Sequence, residues 1–321
     1  GQYTSDMSDS AGTAWLDTGA RDWSADLLSH SGMRRDQMPD LVEGSNVIGP
    51  LRPEIAAEWG VSTDVTVVGG GGDNAVAACG VGALREGDAF VSLGTSGVLL
   101  AAKDTFSPMS ASAVHTFCHA VPNRWYQMGV ILAATDSLNW LARNLDVEAA
   151  ALSDALGNQI NGPNQIQFLP YLSGERTPHN DSTIRGALLN IDIASNRTDL
   201  TQAVMEGVSF ALRDNLEALK STGTNVTRAL AIGGGAQSPF WVELVATVLN
   251  LPIDLPEKGE FGTALGAARL AMVGCSGAKP DGIMTQPKVA KTIHPRSALT
   301  ASYDAAYQRY RATYPALKAI S

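Results

Sequence analysis

Apolar positions along the chain fall into short runs and into longer stretches with helical spacing. The runs at 65–69, 89–93 and 98–102 are short and mostly apolar, as is typical of buried strands. In the stretch 199–221, apolar residues recur every three or four positions, which predicts a long helix with one apolar face. That face consists of Leu200, Val204, Val208, Ala211, Leu212, Leu216 and Leu219. Strands that alternate with helices in this way predict an α/β fold.

The same pattern predicts the remaining elements and divides the chain into units. We expect a further strand at 124–128 and helices at 22–32, 53–60, 133–145, 239–250, 262–273 and 299–317, with another helix beginning at 74. The units are an α/β unit at 1–85, a second α/β unit at 86–285 and a helical tail at 286–321. A chain of this length can bury more than one core.

Glycine-rich turns follow three of the predicted strands. In the first, Gly69–Gly72 lead directly into Asp73 and Asn74. Because glycine has no side chain, a carboxylate on this turn can come close to a ligand, which suits a general base. The alternative is structural, since Asp is a favoured N-cap residue and Asp73 would then only satisfy a free N–H at the helix start.

The second turn, Gly94–Gly97, lies between two apolar runs and predicts a β-hairpin with an exposed tip. Its backbone N–H groups and the hydroxyls of Thr95 and Ser96 suit a phosphate. Glycine and serine are also common in ordinary turns, so this turn alone does not distinguish a binding site from a simple hairpin.

The third turn, Gly233–Gly235, joins an apolar run to a helix that begins with Ser238 as N-cap and Pro239 in the first turn. A glycine turn at a helix N-terminus suits a nucleotide. The run has neither the G-x-G-x-x-G spacing of a dinucleotide site nor the Gly-Lys-Ser/Thr of a P-loop.

Three such turns in this order resemble the FGGY family of carbohydrate kinases. The resemblance extends to about residue 274, and Asn190 departs from it where the family usually has glycine. Two of the runs that carry the resemblance are specific for one substrate group, because they resemble the corresponding runs of members that phosphorylate D-xylulose. The runs that carry the resemblance are Ser5–Asp17, Val114–Ala120, Phe168–Asn180, Gly186–Gly207 and Phe261–Ala268, of which Ser5–Asp17 and Phe168–Asn180 are the specific ones.

The resemblance implies a ribonuclease-H-like, actin-like ATPase fold with two α/β domains around a cleft. Residues 1–85 would be the latter part of the sugar-binding domain, and 86–285 would be the ATP-binding domain. Family members begin with a strand and an Asp-x-Gly-Thr-like phosphate motif, and this sequence shows nothing similar. We therefore expect the first domain to be incomplete and the 321-residue chain alone to be nearly inactive.

The resemblance also implies a reaction and a set of site residues. The reaction is transfer of the γ-phosphoryl group of ATP to the 5-hydroxyl of D-xylulose, which gives D-xylulose 5-phosphate and ADP in D-xylose catabolism. Asp73 would accept the hydroxyl proton and Asn74 would bind a sugar hydroxyl. The expected ATP contacts are Gly94 and Thr95 at the phosphates and Gly234, Gly235, Ser238 and Asn139 along the adenosine. Mg²⁺ would bind the phosphates mainly through water, with no metal ligand assigned in this chain, and a homodimer is implied.

Composition restricts the possible partners. A net charge of −9 and a pI near 5.0 argue against nucleic acid and anionic membrane as partners. No run reaches the roughly 20 apolar residues of a membrane span. Three cysteines in unrelated contexts indicate a reduced, cytoplasmic compartment. The group His115, Cys118 and His119 is not expected to bind a metal, because no second ligand pair accompanies it.

Three alternatives stay open. The first is another FGGY kinase that acts on L-ribulose, gluconate or glycerol. The second is a non-enzymatic, actin-like nucleotide-binding module. The third is a Rossmann oxidoreductase, which the missing dinucleotide motif opposes.

Overall fold

The computed structural model describes residues 1–257 and 261–320 of the chain. The first 85 residues form three pairs of short strands and several short helices. β1 pairs with β4 in parallel, whereas β2 pairs with β3 and β5 with β6 in antiparallel fashion. The elements are β1 (Thr4–Asp6), α1 (Met7–Ser10), β2 (Leu16–Asp17), β3 (Asp22–Trp23), α2 (Ala25–His30), β4 (Asp40–Val42), β5 (Val47–Pro50), α3 (Pro53–Trp59), β6 (Thr66–Val68) and α4 (Asp73–Val81).

The rest of the chain is built around one large mixed sheet. Its elements are β7 (Ala89–Leu93), β8 (Gly97–Lys103), β9 (His115–Cys118), β10 (Trp125–Ile131), α5 (Thr135–Leu145), α6 (Ala149–Asp154), β11 (Gln167–Leu169), β12 (Ala187–Leu189), α7 (Arg197–Ser221), β13 (Ala229–Ile232), α8 (Pro239–Leu249), β14 (Ile253–Pro256), α9 (Thr263–Ser276), α10 (Pro280–Ile283), β15 (Val289–Ile293) and α11 (Ser297–Lys318). Short 3₁₀ turns occur at Arg35–Gln37, Ser110–Ser112 and Gly234–Gln237. No helix in the described part of the chain is long and apolar enough to cross a membrane.

The large sheet has seven strands in the order β15-β14-β13-β7-β8-β10-β9. β13 runs parallel to β7 and to β14, and the antiparallel steps through β8 make β10 run the same way as β7. The carboxyl ends of β7, β10 and β13 therefore meet at one edge of the sheet, which is where ligands bind in open α/β sheets. β15 extends this sheet into the segment 286–321, for which a helical tail was expected; Ser321 lies outside the described residues.

Most predicted elements are present with shifted ends. The long helix at 199–221 is confirmed as α7, which begins two residues earlier because Asn196 accepts hydrogen bonds from the backbone N–H groups of Thr198 and Asp199. The prediction of a helix at 22–32 is wrong for the first turn. Asp22–Trp23 pairs as a strand with Leu16–Asp17, so the helix forms only from residue 25.

The core of the molecule lies between the large sheet and α7. This helix contacts the strands β8, β10 and β11 and the helices α5 and α8. Its apolar stripe is buried at Val204, Val208, Leu212, Leu216 and Leu219. Burial of each such side chain contributes about 1.5–3 kcal/mol to the free energy of unfolding. This packing holds the sheet edge that carries the glycine turns.

The C-terminal helix α11 docks on α7 through tyrosines that bind buried carboxyl groups. The Tyr307 hydroxyl donates to Asp214 at 2.6 Å, and the Tyr303 hydroxyl donates to Glu206 at 3.4 Å. Burial raises the pKa of Glu206 to about 7 and that of Asp214 to about 6. Both acids therefore favour the protonated form more strongly in the folded protein than in the unfolded chain.

The helices α4 and α9 cross at glycines and make the most extensive helix–helix contact in the described structure. A Cβ built on Gly266 would overlap the carbonyl oxygen of Val76, and one built on Gly80 would overlap the carbonyl oxygen of Gly262. The two backbones can approach this closely only because neither position carries a side chain. The crossing ties the helix that starts at Asp73 to the second unit.

We expect Gly266→Ala to destabilise the protein by about 1–3 kcal/mol, because the added methyl group must push α9 away from α4. Urea unfolding measures the change. The matched control is Gly282→Ala, where a methyl group would meet open space, and its free energy of unfolding should stay within about 0.5 kcal/mol of the parent. Equal stability of the two variants would contradict the close crossing.

The raised pKa of the buried acid Glu206 leads to a second prediction, on the pH dependence of stability. Because burial raises its pKa from 4.5 to about 7, its contribution to the free energy of unfolding is fully present below pH 4.5 and is lost as the pH rises through 7. Glu206→Gln removes the titrating group, so urea unfolding between about pH 5 and pH 8 should show a shallower decline of stability with pH. An unchanged decline in the variant would contradict the assignment.

Candidate active site

Asp73 is the first residue of α4, and its carboxylate is exposed. The N-cap position belongs to Gly72, so the alternative that Asp73 is the N-cap is wrong. The helix begins one residue earlier than a capping role for Asp73 requires. The Asp73 Oδ1 instead accepts from the backbone N–H and the side-chain amide of Asn74, at 2.6 and 2.9 Å. The carboxylate keeps its second oxygen for other partners and gains favourable interaction with the helix dipole.

Residues at and just after the end of β1 hydrogen-bond to the glycine turn before Asp73. Buried Asp6 accepts from the Ser8 hydroxyl, and the Ser8 hydroxyl oxygen in turn accepts from the Gly72 N–H at 3.0 Å. Burial raises the pKa of Asp6. This chain of bonds fixes the backbone from which Asp73 projects.

A second carboxylate lies beside the same turn. Asp9 is exposed, and its Oδ1 is 3.5 Å from where a Cβ on Gly72 would stand. The sequence analysis gave Asp9 no role of its own. Its signal was its place inside Ser5–Asp17, one of the two specific runs of the family resemblance.

The hairpin between β7 and β8 has the predicted exposed tip, and the start of α5 anchors it. The carbonyl oxygen of Gly94 accepts from the backbone N–H and the hydroxyl of Thr135, at 2.9 and 2.8 Å. The carbonyl oxygen of Thr95 accepts from the Ala134 N–H at 2.8 Å. The loop before α5 therefore sets the position of the tip.

The third glycine turn packs directly on this hairpin. Gly233 has φ +90°, and a Cβ there would come within 2.7 Å of the Leu93 carbonyl oxygen. A Cβ on Gly235 would lie 2.8 Å from the Leu93 Cβ and 3.2 Å from the Thr135 methyl carbon. The hairpin tip, the third turn and the start of α5 thus form one contiguous surface at the carboxyl edge of the sheet.

A cavity of about 400 Å³ opens beside the third turn. Four residues expected along an adenosine lie together in its wall, namely Asn139, Gly234, Gly235 and Ser238. Ser238 has two contacts there, since its hydroxyl oxygen accepts from the Trp241 N–H as the cap of α8 and also from the Ser153 hydroxyl at 2.9 Å. Neither Thr135 nor Ser153, which also line the cavity, was singled out from the sequence.

A larger cavity of about 790 Å³ also borders this turn. Its wall includes Gly233 and Gln237 from the turn and Thr263 from the first turn of α9. Asp73 and Asn74 line neither cavity. They are linked to this edge through α4 and its crossing with α9.

Within the group His115, Cys118 and His119, the last two make structural contacts, whereas His115 Nε2 is buried with no hydrogen-bond partner among the described residues. His119 is fully buried, its Nδ1 accepts from the Val121 N–H, and its Nε2 therefore donates to the Ala83 carbonyl oxygen at 3.1 Å. Burial lowers the pKa of His119 to about 4, so the ring is neutral at physiological pH. The Cys118 thiol lies 3.5 Å from the Thr18 carbonyl oxygen.

Comparison with family models matches most of the chain. The C-terminal domain of the FGGY family of carbohydrate kinases matches residues 89–275, and the N-terminal domain of the same family matches residues 1–80. The chain belongs to the FGGY family of carbohydrate kinases. Its fold is the actin-like, ribonuclease-H-like ATPase fold of that family, which removes the Rossmann oxidoreductase alternative.

Several FGGY kinases are similar to this chain. The xylulose kinase of Escherichia coli is 42% identical over 316 residues, which cover 98% of this chain and 63% of that protein. A crystal structure described as that of a xyloylose kinase from Brucella ovis is 55% identical with a TM-score of 0.96, over 100% of this chain and 66% of that one. A gluconate kinase from Lactobacillus acidophilus is 26% identical with a TM-score of 0.88, over 98% and 65%. The chain thus spans about two thirds of the length of the relatives that it matches.

Proposed function

We propose that the protein transfers the γ-phosphoryl group of ATP to the 5-hydroxyl of D-xylulose. The observation that carries this proposal is the exposed carboxylate of Asp73, which projects from a glycine turn without acting as a helix cap. Membership of the FGGY family supplies the reaction class, and 42% identity to a xylulose kinase supports the choice of sugar.

In the proposed reaction the sugar oxygen attacks the γ-phosphorus while the bond from that phosphorus to the β,γ-bridging oxygen breaks. The hydroxyl proton passes to Asp73, and ADP leaves with the bridging oxygen. An aspartate is a weak base for an alcohol, so its contribution is to orient the hydroxyl and to take the proton as the new bond forms. Asn74, whose amide holds one Asp73 oxygen, limits the rotation of the carboxylate and binds a sugar hydroxyl with its own oxygen.

The nucleotide is proposed to lie along the third glycine turn. The wall of the 400 Å³ cavity supplies Asn139, Ser238 and the open backbone at Gly234 and Gly235, which lets an adenosine approach closely. The hairpin tip at Gly94–Thr95 adjoins this turn and is placed to receive the phosphates, since turns of this kind offer backbone N–H groups to anions.

The site suits a Mg²⁺ ion that would be coordinated mainly by the ATP phosphates and by water. When bound, it neutralises the charge of the phosphate oxygens. The exposed carboxylate of Asp9, beside the turn that carries Asp73, offers hard oxygen atoms of the kind that Mg²⁺ and its bound waters prefer, and leaves Asp73 to accept the proton. Among the described residues, no group of three or more His, Cys, Asp or Glu side chains could hold a metal alone.

Two alternatives give different outcomes in one experiment. The similarity to a gluconate kinase favours another sugar as substrate, and the actin-like fold also occurs in proteins that do not act on sugars.

The proposal further includes a cytoplasmic location and a homodimer, on the basis of the sequence analysis. Size-exclusion chromatography with light scattering tests the homodimer.

The first test is ADP release by the full-length protein with Mg·ATP and D-xylulose, L-ribulose, gluconate or glycerol. We expect D-xylulose to give the highest kcat/KM by at least about tenfold, a difference of about 1.4 kcal/mol in transition-state binding. A preference for another sugar would keep the reaction class and overturn the substrate. Absence of sugar-dependent ADP release would favour the binding module.

Asp73→Asn should lower kcat by at least about 100-fold, because the amide keeps the shape of the side chain but cannot accept the proton. The KM values for ATP and sugar should change little. Asp64→Asn is the matched control, since Asp64 is an exposed carboxylate in the same unit. Near-normal kcat in Asp73→Asn would remove the assigned base.

A further inference from the structure

Beyond β9, the edge of β10 is covered by a loop rather than by a strand. β9 pairs only with residues 125–128, although β10 continues to Ile131. The N–H of Thr177 donates to the Val130 carbonyl oxygen, and the N–H of Val130 donates to the Thr177 hydroxyl oxygen, both at 3.1 Å. Glu175 Oε1 then accepts from the N–H of Leu132 at 3.2 Å. The loop thereby satisfies backbone groups that the sheet leaves without a strand partner.

Leu132 begins the short connection that holds the hairpin tip. Two residues later, Ala134 donates its N–H to the Thr95 carbonyl oxygen, and Thr135 donates its N–H and hydroxyl to the Gly94 carbonyl oxygen. A continuous path of hydrogen bonds and three peptide units therefore joins the Glu175 carboxyl group to the tip. Every group in this path is at the carboxyl edge of the large sheet.

The Glu175 side chain is costly to bury. The residue is 2% exposed, and Oε1 alone accepts both of its hydrogen bonds, from the N–H groups of Leu132 and Arg176. Oε2 is buried with no hydrogen-bond partner. Burial raises the pKa of Glu175 to about 8. A buried polar atom without a partner destabilises the folded protein, and an apolar side chain of similar size would fill the same space without that cost. The position of Glu175 next to the hairpin connection offers a reason for keeping it.

We propose that Glu175 is a positioning residue for the phosphates of the nucleotide, acting through the Leu132 amide on the hairpin tip at Gly94 and Thr95. The proposal rests on the proposed function for its ligand, whereas the mechanical link stands on the hydrogen bonds alone. Without the acceptor, the Leu132 N–H loses its hydrogen bond to Glu175, and the connection to Thr135 loses its fixed start. Binding of the nucleotide must then order the hairpin tip, and the free-energy cost of that ordering weakens the binding of ATP. Sugar binding stays unchanged.

The test compares three substitutions. Glu175→Met fills the same space without an acceptor, and Glu175→Gln restores an acceptor oxygen. Glu206→Met is the matched control, because Glu206 is also 2% exposed and also accepts from a backbone N–H, that of Asn164. The readouts are the KM for ATP, the KM for the sugar, and hydrogen–deuterium exchange of peptides covering 94–97 and 132–135 without nucleotide.

We expect Glu175→Met to raise the KM for ATP about tenfold, a change of about 1.4 kcal/mol, with the sugar KM within about twofold. Exchange at 94–97 and 132–135 should accelerate in this variant and not in Glu206→Met. Glu175→Gln should restore both readouts to near the parent. Equal effects of Glu175→Met and Glu206→Met, or unchanged exchange at 94–97, would overturn the proposal.

Two provisions keep the outcomes distinct. If Glu175→Met fails to fold, Glu175→Asp replaces it, because its shorter side chain keeps the carboxyl group but withdraws it from Leu132, and the same results are expected. All kinetic readouts are made in the full-length protein. If the full-length parent shows no sugar-dependent turnover, the proposed function fails. Exchange at 94–97 in Glu175→Met then decides the mechanical link by itself, with acceleration supporting it and no change overturning it.

Discussion

The close crossing of α4 and α9 is the constraint on which the arrangement of the site depends. α4 begins at the proposed base, Asp73, and α9 begins in the wall of the larger cavity beside the third glycine turn. Gly80 and Gly266 allow the two backbones to touch, and larger side chains would separate them. The geometry that joins the Asp73 carboxylate to the proposed nucleotide side is thus set by two positions that have no side chain of their own. Such a contact transmits displacement well, because packed backbones have little room to adjust.

The direction of the strands is the second organising feature. Because β7, β10 and β13 run the same way, the hairpin, the connection to α5 and the third turn come to the same edge from distant parts of the sequence. Each turn alone is a common structure. Their contact at Gly233, Gly235 and Thr135 makes them one surface, and the loop that carries Glu175 closes the adjacent edge of β10.

The features that could be predicted from the sequence are those set by local signals. The apolar stripe of α7 and the glycine turns are visible as spacing and residue type, and the structure contains them. The helix expected at 22–32 failed in its first turn because a short pairing with Leu16–Asp17 overrides local propensity. Asp73 as N-cap failed because the helix starts one residue earlier, which local preference does not determine.

The contacts that the sequence analysis missed are long-range. Asp9 lies beside Gly72, and Glu175 binds an amide 43 residues away, so neither position has a local signature. The grouping of Asn139 with Gly234 and Ser238 was expected from family resemblance, and the structure places these residues around one cavity. Their roles toward a nucleotide stay a prediction.

A crystal structure of the full-length protein with D-xylulose and a non-hydrolysable ATP analogue tests the central claim most directly. The account predicts an Asp73 oxygen within about 2.6–3.2 Å of the sugar 5-hydroxyl, with the adenosine between Asn139 and Gly234 and the phosphates at the hairpin tip. A nucleotide bound elsewhere, or a sugar 5-hydroxyl beyond the reach of Asp73 in this ternary complex, would contradict it.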